Sequence, residues 1–286
     1  MSLAQGTYYV PHESRWPVFG IPGIALLMAG FSVYLNGGGW GFPIMILGAV
    51  ITLIMTVMWF RDVVHESVAG KYNEQVDMSF RQGMAWFIFS EVMFFGAFFG
   101  ALFYARVLSI PWLGGDDAAT SQFLWDSVLL SWPTAGPGML DVDFTAMGAW
   151  ALPTINTLIL LTSGATLTWA HHAMKENHRK QVIIGLALTV LLGATFSSIQ
   201  AYEYVYAWEE LSLRMDTGIY GSLFYMLTGF HGVHVIIGAL TLFVILIRVI
   251  KGHFTADDHF GFEAAAWYWH FVDVVWLGLF VFVYVI

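Results

Sequence analysis

Long apolar runs separated by shorter polar segments dominate this sequence. Each run is long enough for a helix that rises about 1.5 Å per residue to cross a hydrocarbon core of about 30 Å. The pattern therefore predicts an all-α integral membrane protein with seven transmembrane helices. The seven runs lie at about Pro17–Leu35, Gly41–Phe60, Phe80–Leu108, Trp150–Ala170, Gln181–Tyr206, Gly218–Ile250 and Phe260–Ile286.

The connections between the runs suggest how the chain is organised. Asn36-Gly-Gly-Gly39 is short enough to join the first two helices as a tight antiparallel hairpin. Residues 109–149 form a long outer loop, rich in Gly and Pro, that we interpret as ordered or semi-ordered and not as a second domain. We therefore divide the chain into an inner N-terminal segment (1–16), a two-helix hairpin (17–66) and a five-helix bundle (67–286).

Composition supports a membrane protein and excludes several kinds of site. The chain is 58% hydrophobic and only 11% charged, whereas soluble domains carry about 25% charged residues. It has no cysteine, which excludes disulfides, iron–sulfur clusters and thiolate metal sites within the chain. The first 16 residues are polar and show no cleavable signal peptide. The net charge of −9 gives no reason to expect a nucleic-acid partner.

The basic residues predict an orientation. With seven spans, only Arg106 and Arg214 fall on one side of the membrane, and the other nine of the eleven lysines and arginines fall on the opposite side. By the positive-inside rule the N-terminus is inside and the C-terminus, after an odd number of spans, is outside. The nine inner residues are Arg15, Arg61, Lys71, Arg81, Lys175, Arg179, Lys180, Arg248 and Lys251.

Ionisable residues lie deep inside the third, sixth and seventh apolar runs. Glu91 is a carboxylate in the third run, and such a group near the bilayer centre costs at least a few kcal/mol unless it is paired or protonated. His231 and His234 lie in the sixth run, and His270 and Asp273 lie in the seventh. Each pair is spaced i, i+3 and so occupies one helix face. Counting from the inner helix ends places these groups in one layer near mid-membrane, with His231 one turn further out.

Three interpretations of this polar layer remain open. His234 and His270, on two helices at matched depth, could ligate a haem or another metal centre. Glu91 could carry protons. In the third interpretation, hydrogen bonds between histidines and carboxylates satisfy groups that lipid cannot and fix the helix register. The third predicts that Glu91 bonds to His234 or His231, and that Gly96 and Gly100 form a face on which another helix packs.

Two clusters at the inner ends of the helices are either solvated helix ends or sites for lipid headgroups, and aromatic and basic side chains at the interface favour lipid contact. The clusters are Trp59, Arg61 and Glu66, and Arg248, Lys251 and His253. His171 and His172 close the fourth span. Since adjacent residues point about 100° apart on a helix, they cannot readily hold one metal ion, and we interpret them as histidines at a helix C-terminus. We expect no metal site in this chain.

Several motifs closely resemble subunit III of cytochrome c oxidase, in the haem–copper oxidase family. The resemblance runs from Trp16-Pro17 to the last helix. The motifs that carry it are Trp59-Phe-Arg-Asp-Val-Val-His-Glu66, Phe87-Ile-Phe-Ser-Glu-Val-Met-Phe-Phe95, Asn156-Thr-Leu-Ile-Leu-Leu-Thr-Ser-Gly164, Thr168-Trp-Ala-His-His172, Thr228-Gly-Phe-His-Gly-Val-His-Val-Ile-Ile-Gly238 and His259-Phe-Gly-Phe-Glu-Ala-Ala-Ala-Trp-Tyr-Trp-His-Phe-Val-Asp-Val-Val-Trp276.

The resemblance implies a fold and a role. The helices would form two groups, the first two and the last five, around a V-shaped cleft that holds phospholipids. The chain would carry no haem, copper or catalytic residue. It would pack on the catalytic haem–copper subunit I, beside the copper-bearing subunit II, in a complex that takes electrons from cytochrome c, reduces oxygen to water and pumps protons. Its role would be to stabilise that subunit, sustain proton uptake and protect against inactivation during turnover.

The resemblance also implies roles for single residues. Glu91 matches a glutamate that reacts with hydrophobic carbodiimides, which attack protonated carboxyls. Glu66, Arg248 and His253 match positions at lipid headgroups, and Glu263 joins the intramembrane polar network. The sequence departs from the mitochondrial type after Glu66, where a glycine and paired histidines are replaced, and in its longer outer loop. The longer loop, together with the absence of a targeting sequence, predicts a bacterial protein of the inner (plasma) membrane.

Two alternatives remain. Subunit III of a quinol oxidase usually lacks the first two helices, and the hairpin therefore favours the cytochrome c type. A stand-alone proton transporter that uses Glu91 would need polar groups along the third helix, but residues 92–103 include no ionisable side chain.

Overall fold

The computed structural model describes residues 8–10, 13–123, 131–139 and 141–286. Within these ranges the chain is helical and has no strand. Seven of these helices are long, and one, Ala118–Phe123, is short. This confirms the predicted all-α membrane fold. The helices are α1 (Trp16–Leu35), α2 (Gly41–Val68), α3 (Glu74–Phe103), α4 (Ala118–Phe123), α5 (Leu152–Lys175), α6 (Arg179–Glu209), α7 (Ile219–Ile250) and α8 (Phe260–Leu279).

Six of the long helices are apolar enough to cross a membrane by length and hydropathy, within the described residues. The remaining long helix, α5, has 24 residues and is therefore about 36 Å long, which suffices to span the bilayer. Its hydropathy is lowered by polar residues that point into the bundle, among them Asn156, Thr157 and Ser163, which are all buried. Polar groups that face other helices are compatible with a membrane span because lipid does not meet them.

α2 and α3 extend furthest beyond the predicted apolar runs. α2 continues from Phe60 to Val68 through a polar turn, and α3 begins at Glu74, before Phe80. At the other end, α3 continues as a π-helix through Tyr104–Ser109, and α8 continues likewise through Phe280–Val285. Hydropathy marks only the part of a helix that lies in lipid, whereas the backbone hydrogen bonds continue into the interface.

The chain forms two compact units, one ending at Gln82 and the other running from Gly83 to Ile286. In the first unit α1 and α2 form the predicted antiparallel hairpin. Their backbones approach each other at glycines. A Cβ on Gly30 would collide with the backbone nitrogen of Met45, and one on Gly48 would collide with that of Leu27. Only glycine permits this distance between helices in a membrane.

The second unit has a core built around two tryptophans of α8. Trp269 is fully buried and fits against Gly193 of α6 and Gly238 of α7, where an added Cβ would lie 2.6 and 2.8 Å from its ring. Its indole Nε1 donates a hydrogen bond to the hydroxyl of Ser163 in α5 at 2.9 Å. Trp276, about two turns further along the same face of α8, donates in the same way to Thr157 at 2.9 Å. These contacts bring α5, α6, α7 and α8 together.

α3 joins the second unit mainly through aromatic side chains. The ring of Phe94 lies edge-on to Phe230 of α7, with centroids 5.1 Å apart, and Phe95 lies 6.0 Å from Phe271 of α8. The predicted helix-packing role of Gly96 and Gly100 is different. Both glycines are exposed, and an added Cβ at either would meet no described atom of the chain within 4 Å. No other described helix therefore packs on this face.

The predicted outer loop has ordered structure in its described parts. Residues 112–116 form a short π-helix, and α4 follows. Further along, Phe144 stacks on Tyr220 of α7 with centroids 5.5 Å apart, and the backbone nitrogen of Ile219 donates to the carbonyl of Ala135 at 3.1 Å. The loop therefore lies on the N-terminus of α7. The orientation of the termini and the lipid-filled cleft stay predictions.

Candidate functional site

Glu91 of α3 and His234 of α7 form a hydrogen-bonded pair inside the second unit. The Nε2 atom of His234 lies 3.0 Å from Oε2 of Glu91. The side chains are 20% exposed for Glu91 and 14% for His234, so lipid or solvent reaches little of either group. The hydrogen bond predicted between Glu91 and one of the α7 histidines is present, and its partner is His234.

The protonation of this pair follows from the second contact of the ring. His234 Nδ1 lies 2.6 Å from the backbone carbonyl of Phe230. A carbonyl can only accept, so Nδ1 carries a hydrogen. The bond between Nε2 and Glu91 then needs one further proton, held either by the imidazolium or by the carboxyl group. In both forms the pair has a net charge of zero, which makes it tolerable inside a membrane.

Aromatic rings enclose the pair. The rings of Phe95, Phe94 and Tyr268 lie 5.0, 6.1 and 6.2 Å from the His234 ring, centroid to centroid. Such surroundings lower the local dielectric constant, which strengthens the hydrogen bond and raises the cost of leaving either group unpaired. The arrangement is suited to fixing α3 against α7.

His270 and Asp273 form a separate pair on α8. Nδ1 of His270 lies 3.3 Å from Oδ2 of Asp273. The aspartate is 9% exposed and its histidine 44% exposed. Asp273 rests against Gly164 of α5, where a Cβ would lie 2.5 Å from its Oδ2 atom. His270 also approaches the hydroxyl of Thr168 on α5 at 3.3 Å. This pair therefore connects α8 to α5.

His231 does not take part in either pair. It is fully buried, and its Nε2 donates to the backbone carbonyl of Val272 at 3.2 Å. Its ring lies against Trp276 and Phe196. The predicted single layer is thus a set of separate contacts, because the rotation of each helix about its axis directs these side chains to different neighbours. His234 and His270 each have a carboxylate partner, an arrangement that does not suit a shared haem.

Glu203 of α6 is a buried carboxylate that our sequence analysis missed. It is 0% exposed, and neither of its oxygens has a hydrogen-bond partner among the described residues. Tyr204 and Tyr284 are close enough to interact with it electrostatically. The signal was visible in the sequence, because Glu203 interrupts the fifth apolar run as Glu91 interrupts the third.

Near the C-terminal end of α2, Glu66 is held by two tyrosines. Tyr9 donates to its Oε1 at 2.9 Å, and Tyr72 donates to its Oε2 at 2.8 Å. Burial, and then the neighbouring Glu66, raise the pKa of the Tyr72 hydroxyl. Trp59 and Arg61, the other predicted headgroup residues of this cluster, are exposed. The role of the cluster in lipid binding stays a prediction.

The second predicted headgroup cluster lies at the C-terminal end of α7. The Arg248 guanidinium lies 4.2 Å from the centroid of the Phe254 ring, and Lys251 is exposed. His253 follows in the turn after α7, where its backbone nitrogen donates to the carbonyl of Arg248 at 3.0 Å. Arg179 of α6 donates to the carbonyl of Ile250 at 2.7 Å and so caps the same helix end. This headgroup assignment also stays a prediction.

Glu263 lies apart from the two mid-membrane pairs. It is in the first turn of α8 and groups with His259 and with His171 of α5. It groups with these two histidines at the helix ends, and its membership of the intramembrane polar network stays a prediction.

Comparisons with known proteins identify the family. The chain matches the family described as "Cytochrome c oxidase subunit III" over residues 6–286. Cytochrome c oxidase subunit 3 of Danio rerio is 40% identical over 278 residues, which covers 97% of this chain and 96% of the relative. The subunits 3 of Cyprinus carpio and Struthio camelus are 41% and 40% identical with the same coverage. This multi-pass membrane protein therefore belongs to the cytochrome c oxidase subunit III family and is a subunit of an oxidase complex.

Proposed function

We propose that the chain is a non-catalytic subunit of a proton-pumping cytochrome c oxidase. It stabilises the catalytic haem–copper subunit I, holds phospholipids at its inner helix ends, sustains proton uptake and protects the complex from inactivation during turnover. Haems and copper belong to the partner subunits I and II, and cytochrome c donates electrons to the complex. The departures of the sequence from the mitochondrial type support a location in a bacterial plasma membrane.

The closed pair of Glu91 and His234 is the observation that carries this proposal. The pair is net neutral, flanked by aromatic rings, and holds α3 against α7. A carboxyl group that is paired and surrounded by aromatic rings is better suited to stabilising helix packing than to conducting protons. An ionisable group that transported protons would need hydrogen-bonding neighbours to pass them on.

The alternative of a stand-alone proton transporter fits these surroundings less well. On the outer side of Glu91, α3 offers phenylalanines that contact Phe230, Phe271 and Phe282. His231, the next polar group on α7, is turned away to the carbonyl of Val272. The alternative of a quinol oxidase subunit is disfavoured by the α1–α2 hairpin, which that type usually lacks.

The test is the variant Glu91→Ala in the intact oxidase complex. Without the carboxyl group, His234 Nε2 is left unpaired in an apolar site, which costs about 1–3 kcal/mol. We expect normal haem spectra and normal initial oxygen consumption, together with easier loss of the chain in detergent or a shorter catalytic lifetime. Absorption spectra, subunit composition and oxygen consumption through many turnovers measure these effects.

Ser90→Ala is the matched control. Ser90 precedes Glu91 on the same helix but is exposed, and its hydroxyl donates only to the carbonyl of Phe87 at 2.6 Å. This variant should match the wild type in lifetime and in subunit association. An immediate loss of the haem signal in Glu91→Ala would contradict the accessory role, as would proton transport by the chain when purified without its partners.

A further inference from the structure

Three side chains that bind metals in other proteins meet where α5 ends and α8 begins. His171 lies in the last turns of α5, His259 is the residue before α8, and Glu263 lies in the first turn of α8. One nitrogen of each ring and one carboxylate oxygen all lie within 4.8 Å of one another. The cluster is independent of the two mid-membrane pairs and plays no part in the function proposed above.

The spacing explains how two of the groups face the same way. His259 and Glu263 are four residues apart, and the backbone nitrogen of Glu263 donates to the carbonyl of His259 at 3.1 Å. Residues at i and i+4 of a helix lie on one face, one turn apart. The third group comes from α5, whose His171 ring meets the His259 ring edge-on at 5.5 Å. The angle of about 100° between adjacent helix residues excludes only an ion shared by His171 and His172. The sequence does not show that His259 and Glu263 lie beside His171.

Two ring nitrogens of the cluster lack partners. Neither Nε2 of His171 nor Nδ1 of His259 has a hydrogen-bond partner among the described residues, although both atoms are buried. His259 as a whole is only 9% exposed. Buried polar atoms are normally satisfied, and an ion that accepts the lone pairs of these nitrogens would satisfy both.

The ligand set selects the kind of ion. Two imidazoles and one carboxylate suit Zn²⁺, which often takes three protein ligands and leaves a fourth position open. Mg²⁺ and Ca²⁺ prefer oxygen ligands and fit poorly. Ligand atoms around a tetrahedral Zn²⁺ lie about 3.3–3.5 Å apart, so the side chains would close by roughly 1–1.5 Å on binding. Lys175 is the positive charge that acts on His171, and it will weaken binding without occupying the site.

We propose that His171, His259 and Glu263 form a binding site for one Zn²⁺ ion that bridges the C-terminal end of α5 and the N-terminal end of α8. The expectation that this chain holds no metal ion is replaced by this proposal. The ion ties together two helices that already share the Asp273–Gly164 contact deeper in the membrane. It is a site for a bare transition-metal ion and does not require haem or copper.

The test is zinc binding by the full chain, purified from membranes with the subunits that accompany it. The preparation is washed with chelator and dialysed against Zn²⁺, and zinc is counted per mole of chain. We expect Glu263→Gln and His259→Gln to bind one ion fewer than the wild type, or to bind it more than about 10-fold more weakly. The matched control is His172→Gln, an exposed histidine beside the cluster on the same helix, which should keep the ion.

A second measurement separates binding from folding. Zn²⁺ should raise the unfolding temperature of the wild-type chain and of His172→Gln, because it binds the folded state, and should not raise that of Glu263→Gln. Equal zinc content in all variants overturns the proposal. So does loss of the same ion in His172→Gln, which would indicate only nonspecific binding by surface histidines. If His259→Gln does not accumulate, His171→Gln and Glu263→Gln decide the question.

Discussion

The α1–α2 hairpin and the helices after Gly83 hold their helices together in different ways. In the hairpin, glycines bring two backbones into direct contact, and the hydroxyls of Thr52 and Thr56 bond only to carbonyls of their own helix. In the second unit, tryptophans, histidines and carboxylates reach across helices. Since apolar side chains gain little by leaving lipid, helices need either close approach or interhelical hydrogen bonds. The hairpin uses close approach of backbones, and the second unit uses interhelical hydrogen bonds.

This difference has a consequence for tolerance to change. A glycine contact fails through added volume, whereas a polar contact fails through a lost partner. The two regions should therefore respond in opposite ways to small additions and to polar-to-apolar substitutions. Matched pairs of variants of the full chain test this difference. For each variant the free energy of unfolding is measured by detergent titration in mixed micelles.

The largest effect is expected for Trp269→Ala in the second unit. The ring is fully buried between α6 and α7 and its Nε1 bonds to Ser163. Truncation leaves a large cavity and removes the hydrogen bond to Ser163, for which we expect a loss of about 3–5 kcal/mol. Trp86→Ala is the control, because Trp86 of α3 is 70% exposed, and it should change stability little. Equal losses in the two variants would mean that Trp269 does not organise the core.

The next effect is expected for Gly48→Ala in the hairpin. Its Cβ collides with the backbone of Leu27, which cannot move without separating the helices. We expect a loss of about 1–3 kcal/mol. The same substitution at Gly96 of α3 meets open space and should be neutral, or stabilising by up to about 1 kcal/mol, because alanine favours the helix. A Gly48→Ala variant as stable as the wild type would refute close backbone contact as the basis of the hairpin.

The sequence predicted much of the first region and only part of the second. Apolar runs and the Asn36–Gly39 turn are local signals, and they predicted the helices and the hairpin. Helix rotation is not local. For this reason Gly96 and Gly100 were expected to face another helix but are exposed, and Glu91 could not be assigned to His234 in preference to His231 without the structure.

The candidate sites show the same limit. His171, His259 and Glu263 come from two helices, and no spacing in the sequence brings the first to the other two. Glu203 is the opposite case. A carboxylate in an apolar run is a local signal, yet our sequence analysis did not include it. A single carboxylate in an apolar run indicates a buried polar site whether or not histidines lie in other runs.

A smaller effect, with opposite signs, is expected for two buried glutamates of the second unit. Glu91→Leu removes a hydrogen-bonded partner and leaves His234 unpaired, which should cost about 1–3 kcal/mol. Glu203→Leu removes a carboxyl group that has no described partner, so we expect neutral or increased stability. A loss in Glu203→Leu as large as in Glu91→Leu would show that Glu203 makes a stabilising interaction, for example with a buried water molecule.

The smallest effect concerns Tyr72 in the first unit. Because burial and Glu66 raise the pKa of this hydroxyl above its usual value of 10.0, its stabilising effect is fully present below about pH 10 and is lost as the pH rises further, when the folded chain must release the proton. Tyr72→Phe should cost about 1 kcal/mol or less at neutral pH, because Glu66 keeps its bond to Tyr9. Tyrosinate absorbance follows the titration.

Tyr34→Phe is the control for that titration. Tyr34 lies in α1 of the same unit and is 52% exposed. The wild type and Tyr34→Phe should have the same number of late-ionising tyrosines, and Tyr72→Phe should have one fewer. If all three titrate alike, the Tyr72–Glu66 bond does not persist in the membrane protein, and Glu66 would then be free to meet a lipid headgroup. The pH titration therefore tests whether the inner end of α2 is held by protein contacts or open to lipid.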